Sequence, residues 1–352
     1  MRRTTPRGAL LTLALLVGLS ACSAEASTRA GGSDGGPSTT AAPVSVPETI
    51  PEGTTLRVGD QFDYLQTLLD LSGEGQDIPY EVEYSAFLGG PAMLQAFQAD
   101  AVDTGFVGST PLIFAQAGGQ DIRGVAGWAS SESSFYGLVT APGHDEIQGW
   151  EDLKGKSVAY QRGTAGEAVL LQALDAAGLS ASDITPVDVS QVQLTATLEG
   201  GSADAGISVE PLTSGYLAAN PTAAQVAGAE EITDRSSFVI ASQDTLDDDA
   251  KSAALADYIA RLVRGFTYLR DHPDELASGV FQQVYGLSAE RAAELVEENG
   301  DTAFFALPGE VLDQQQRLAD LFVEAGQIPA EIDVAEQFDT RFNELVLEEQ
   351  GQ

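Results

Sequence analysis

Residues 102–122 read VDTGFVGSTPLIFAQAGGQDI. Residues 103–107 make a short strand, and Ser109-Thr110-Pro111 opens a helix over 112–117, Ser and Thr being favoured at a helix start and Pro in its first turn. A further strand follows over 122–128. Strand, helix and strand in this order define an α/β unit, in which helices cover a mainly parallel sheet.

The same alternation runs outward in both directions. Upstream, Leu56-Arg57-Val58-Gly59 is a strand, Asp60 and Gln61 open a turn, and residues 62–71 place Leu65, Leu68 and Leu69 at helical spacing. Tyr80-Glu81-Val82-Glu83-Tyr84 alternates at period two. Gly89-Gly90-Pro91 then starts a helix whose buried stripe is Met93, Leu94 and Phe97. Downstream, residues 136–141 form another strand and a second α/β unit begins. It has strands at 157–160, 184–189 and 203–209. Gly163-Thr164-Ala165-Gly166 opens a helix that Gly178 stops, and a short helix spans 192–198. Phe238-Val239-Ile240-Ala241 reads as the last strand. Beyond Asp249 the pattern is helical, with Leu255, Ile259, Leu262, Val263 and Phe266 on one stripe.

The amino terminus, MRRTTPRGALLTLALLVGLSAC, has a basic start and an apolar run too short to span a bilayer, which takes about 20 residues. It is expected to be a signal peptide over 1–21. Leu19-Ser20-Ala21-Cys22 resembles the bacterial lipobox, which implies acylation of Cys22 and a stable lipid anchor at the extracytoplasmic face of the cell membrane. The Ser-, Gly- and Pro-rich stretch 22–54 is expected to be a flexible tether.

Composition narrows the function. The 352 residues carry 53 acidic and 17 basic side chains, a net charge of −36, and loss of Arg2, Arg3 and Arg7 with the signal takes it to −39. Such a chain is not built to neutralise nucleic-acid phosphates. One cysteine and two histidines, His144 and His272, give no disulfide and little for a metal site or a catalytic triad. There is no G-x-S-x-G elbow. The expectation is a binding protein, not an enzyme, with no cofactor and no metal.

Five stretches in order resemble the aliphatic sulfonate-binding family of ABC-importer receptors, with its taurine- and nitrate-binding relatives: FLGGPAMLQAF (87–97), residues 102–122, EDLKGKSVAYQRGT (151–164), LLQALDAAGLSASDITPV (170–187) and QQQRLADLFVEAGQIPAEIDV (314–334). The resemblance implies a type II periplasmic-binding-protein fold, two α/β lobes with the ligand cleft between them. Lobe 1 is expected at 55–141 and 238–352, and lobe 2 at 142–237. It implies a monomer that binds a small molecule, an aliphatic sulfonate first and otherwise nitrate, a pyrimidine or another small solute, and delivers it to an ABC permease with its ATPase; a ligand-sensing surface receptor is the rival. Relatives often carry aromatics where this chain has Gly206 and Val209. A related fold makes the thiamine pyrimidine with its own His and a lysine-held cofactor; the lysines here are Lys154, Lys156 and Lys251, the first two in a turn.

Candidate ligand contacts follow from the helix starts at Gly89-Gly90, Gly108-Ser109-Thr110 and Gly163-Thr164-Ala165. Helix amino ends present unpaired N–H groups and partial positive charge to an anion, and in open α/β sheets the crevice lies at the carboxyl ends of strands. The same residues are also ordinary helix caps. Arg162, and less directly Arg123, could supply a charge or lie in solvent. Glu210 could accept from a ligand amine or hold the hinge by an ion pair. Gln61 and Phe62 follow the first strand toward the pocket. Glu167 reads as a dipole complement, and Trp128 and Tyr136 as core or pocket wall.

Overall fold

In the computed structural model the described residues are 46–130, 135–226 and 236–351; the signal peptide, Cys22 and most of the expected tether lie outside them. The chain runs β1 (Thr55–Gln61), α1 (Tyr64–Ser72), β2 (Glu81–Phe87), α2 (Gly90–Gln98), β3 (Thr104–Gly108), α3 (Ser109–Ala117) and β4 (Ile122–Ser130). It continues with β5 (Tyr136–Thr140), β6 (Ser157–Tyr160), α4 (Ala165–Ala176), β7 (Thr185–Asp188), α5 (Gln191–Glu199), β8 (Ala205–Val209), α6 (Leu212–Ala219) and β9 (Gln225–Val226). After β10 (Ser236–Ser242) come α7 (Gln243–Asp247), α8 (Asp249–Asp271) and α9 (Pro273–Glu275). A π-helical stretch, Leu276–Val284, leads to α10 (Ala289–Asn299), β11 (Thr302–Phe305), α11 (Val311–Glu324) and α12 (Asn343–Glu349).

Two sheets result, ordered β11-β4-β10-β3-β1-β2 and β7-β6-β8-β5-β9. In each, the strands of the β-α-β units pair in parallel, and the strands entering from the other sheet pair antiparallel. The first sheet packs Leu65, Leu68 and Leu69 of α1 and the Leu255, Ile259, Leu262 stripe of α8 on one face. Met93, Leu94 and Phe97 of α2 pack on the other with Leu112 of α3. The second sheet is covered by α4 through Leu170 and Leu174 and by α5 through Leu194 and Leu198. A further cluster joins Ile113 of α3, Ala168 and Leu171 of α4, and Leu318 and Phe322 of α11, fixing the two sheets to each other behind the cleft.

The structure corrects several expectations. Strand β5, assigned to lobe 1, pairs with β8 and β9 in the second sheet, so the first passage between sheets falls between Ser130 and Tyr136 rather than after Ala141. An apolar run such as YGLVT fits either sheet; the choice of partner is not a local property. The return lies before Ser236, which already pairs with Ala129 of β4. Strand β10 is not the last: β11 pairs antiparallel with β4, Phe304 opposite Trp128. Helix α6 and the two-residue strand β9 were not anticipated. The folded body also starts earlier than Leu56, since Val46 and Ile50 pack against the first core.

Candidate functional site

Three helix starts meet where the two sheets face each other. Gly90 at the head of α2 sits so close to α3 that a Cβ there would come within 2.2 Å of Pro111 Cγ. Gly108, just before α3, would place a Cβ 3.9 Å from Ala165 Cβ at the head of α4. Gly163 takes a left-handed φ of 71°, which turns the chain from β6 into α4 beside Pro91. The first amides of each helix have no intrahelical acceptor, Pro91 and Pro111 carrying no N–H, and the three helix starts lie in contact with one another.

A cavity of about 190 Å³ opens there. Of the expected residues, Gln61, Phe62, Gly90, Gly108, Thr164, Ala165 and Glu210 line it. Trp128 and Tyr136 line it too, and Trp128 is also core, 5.0 Å from Phe266 and 5.5 Å from Phe304 between ring centres. Tyr64, Phe106, Phe135 and Tyr285, none of them among the expected residues, complete an aromatic wall. Burial pushes the Tyr136 hydroxyl up to about 12 and raises those of Tyr64 and Tyr285 further, so all three remain neutral phenols.

Other expected residues lie off the cavity lining. Gly89 opens α2 beside the Gln161 side chain. Ser109 and Thr110 are buried in the first turn of α3, and neither hydroxyl has a hydrogen-bond partner among the described residues. The Gly163 amide donates to Glu167 Oε2 at 2.8 Å. Arg162 is half exposed: its guanidinium donates to Gln327 Oε1 and stands 4.0 Å from Glu167, on the outer side of the α4 start. Arg123 pairs with Asp121 at 3.0 Å. Glu167 stands in the first turn of α4, where it complements the helix dipole, and is fully buried, so desolvation raises its carboxyl pKa. Gly206 faces Leu194 and Ala159 under α5, not the cleft, whereas Val209 does line it. The Thr164 hydroxyl donates to Gln161 O at 2.7 Å, so its proton is committed within the loop.

Glu210 both lines the cavity and makes an ion pair. It is buried at the end of β8; Oε1 accepts from Ser214 Oγ at 2.8 Å and from Arg291 Nη2 at 3.2 Å. Arg291 comes from α10, on the first-sheet side, and is held there by Glu298 at 2.7 Å and Glu294 at 3.2 Å. The ion pair thus ties the two halves across the cleft. Among the described lining residues Glu210 is the only charged side chain, and it is paired with Arg291. In the sequence Arg291 is one arginine in an acidic helix, and nothing local points to a partner on another sheet.

Two α/β lobes joined by two passages, with a cavity at the strand carboxyl ends between them, define the type II periplasmic-binding-protein fold. The chain belongs to the NMT1/THI5-like family, which matches residues 81–276. A protein of Escherichia coli K12 named as an aliphatic sulfonates-binding protein is 27% identical over 82% of this chain and 89% of its own length. The alkanesulfonate-binding protein SsuA of Xanthomonas axonopodis pv. citri, solved bound to MOPS, is 25% identical with a TM-score of 0.71, covering 83% of this chain and 99% of that one. The nitrate-binding protein NrtA of Synechocystis PCC 6803, at 11% identity and a TM-score of 0.66, covers 85% of this chain and 90% of that one and shares the fold.

Proposed function

We propose that this chain is the extracytoplasmic solute-binding lipoprotein of an ABC importer, that it binds a small organic sulfonate in the cavity between its lobes, and that it hands the sulfonate to the permease. It acts by binding and closure and carries out no chemistry on its ligand. The observation that carries the reading is the meeting of the α2, α3 and α4 amino ends at a cavity whose one charged side chain among the described lining residues, Glu210, is paired with Arg291. The relatives named for sulfonates support the class of ligand.

An anion can sit inside so acidic a chain because the net charge acts at a distance and is screened beyond about 8 Å at physiological salt. Hydrogen bonds to a charged group are worth about 1.5–3 kcal/mol each inside a dry cleft. The donors assigned here are the first-turn amides of the three helices, with the Gln61 amide group at the side: one Nε2 hydrogen goes to Phe106 O at 2.7 Å and the second is left for a ligand. The Thr164 hydroxyl orients the loop and does not itself meet the oxyanion. Acylated Cys22 would hold the protein at the membrane.

A melting-point series of alkane- and arenesulfonates, each beside its neutral sulfonamide, tests this. A sulfonate at 100 times its dissociation constant should stabilise the protein by about 2.7 kcal/mol while its sulfonamide does little. Stabilisation by neutral or cationic solutes alone would contradict the assigned ligand class.

A further inference from the structure

The cavity has a second character besides its helix ends. Phe62, Tyr64, Phe106, Trp128 and Tyr285 line it from the first-sheet side and Tyr136 from the second sheet. The rings support one another: Phe62 and Tyr285 stand 6.1 Å apart at 67°, Tyr64 and Phe106 6.2 Å at 54°, Phe106 and Trp128 5.5 Å at 47°. Tyr136 rests on the head of α4, where a Cβ on Gly166 would meet its ring at 3.1 Å. The aliphatic lining is limited to small or stiff residues, Ala165, Pro111 and Val209; no Leu, Ile or Met is among the described lining residues. Unbranched, adaptable side chains are what fits a flexible alkyl tail, whereas fixed rings favour another ring through edge and face contacts. Size agrees: an apolar cavity of about 150 Å³ holds benzene, and about 190 Å³ here leaves room for one ring and a small head group. With Glu210 already paired to Arg291, the wall offers no free carboxylate to a cationic ring.

We propose that the ligand is an arenesulfonate-type anion, a single flat ring bearing the oxyanion. The ring lies among Phe62, Phe106, Trp128 and Tyr285, and the oxyanion faces the starts of α2, α3 and α4. This rests on the sulfonate reading above and narrows it from open-chain to aromatic ligands.

Calorimetry on the whole chain with benzenesulfonate, 1-hexanesulfonate and benzenesulfonamide separates the two claims. The two sulfonates share head group and carbon number, and the hexyl chain has more apolar surface, so burial alone would favour it. Benzenesulfonate is expected to bind at least tenfold more tightly than hexanesulfonate, with benzenesulfonamide weaker than both. Equal or tighter binding of hexanesulfonate overturns the aromatic preference and leaves the sulfonate reading standing. Binding of the sulfonamide but of neither sulfonate, or of none of the three, overturns both. Phe62→Leu, checked for an unchanged melting point, should bring the ratio of the two sulfonates close to one; an unchanged ratio removes the ring from that wall.

Discussion

A methyl group on Gly108 would lie 3.8 Å from Ser236 O and 3.9 Å from Ala165 Cβ, ordinary contact distances, in the lining between the α3 and α4 heads. Its φ of −72° and ψ of 179° suit any residue. Gly108→Ala should therefore leave the unliganded melting point unchanged or slightly raised, by up to about 1 kcal/mol in stability, while weakening sulfonate binding at least tenfold by calorimetry. Gly90→Ala is the contrasting case. Its Cβ would meet the Pro111 ring at 2.2 Å, and a proline ring cannot swing aside, so a loss of about 1–3 kcal/mol in unfolding free energy is expected. If both variants melted like the wild type, the helix heads would not be packed as described. Both glycines were legible in the sequence as strand-to-helix turns. Arg291 was not, because its partner Glu210 is distant in sequence and the pairing exists only once both lobes are folded.

At the scale of the element, α1 shows how a buried charge shapes the site. The chain leaves β1 through Phe62 and Asp63 at φ values of 56° and 55°, and the Asp60 carboxylate accepts from the amides of Leu65 and Gln66 at 3.0 Å each. That turn carries Gln61, Phe62 and Tyr64 into the cavity wall. Desolvation raises the Asp60 pKa to about 6 despite these bonds, with Asp63 adding to the shift and the phenols of Tyr64, Tyr84 and Tyr258 nearby. A folded-state pKa above the unfolded value near 3.8 means a stability contribution complete below about pH 3.8 and lost as pH rises through about 6, some 3 kcal/mol in all. The melting point of the wild type relative to Asp60→Asn should accordingly fall between pH 4 and pH 7; a pH-independent difference would show that the carboxyl is not desolvated. The helical stripe of α1 was readable from Leu65, Leu68 and Leu69, as was that of α8. Strand β11 was not: TAFF is four residues inside a helical region, and its strand character comes from the free edge of β4 beside Trp128.

For the molecule as a whole, the order of α/β units was legible because each unit repeats a short-range pattern, whereas the passages between sheets depend on which strand β5 joins. If Cys22 carries the lipid anchor, as proposed from the lipobox-like Leu19-Ser20-Ala21-Cys22, Cys22→Ala is expected to move the protein from the membrane fraction to the soluble fraction; retention at the membrane would contradict acylation. The central claim, that the ligand binds in the cavity between the two sheets, can be read from a single side chain. Trp128 and Trp150 are the two tryptophans of the chain. Trp128 lines the cavity, and Trp150 is buried elsewhere with an indole N–H that has no hydrogen-bond partner among the described residues, so Trp150→Phe loses no such bond. In that variant, titration with benzenesulfonate should change the Trp128 emission saturably, with the midpoint found by calorimetry. Calorimetric saturation with the Trp128 emission unmoved would put the ligand somewhere else on the protein.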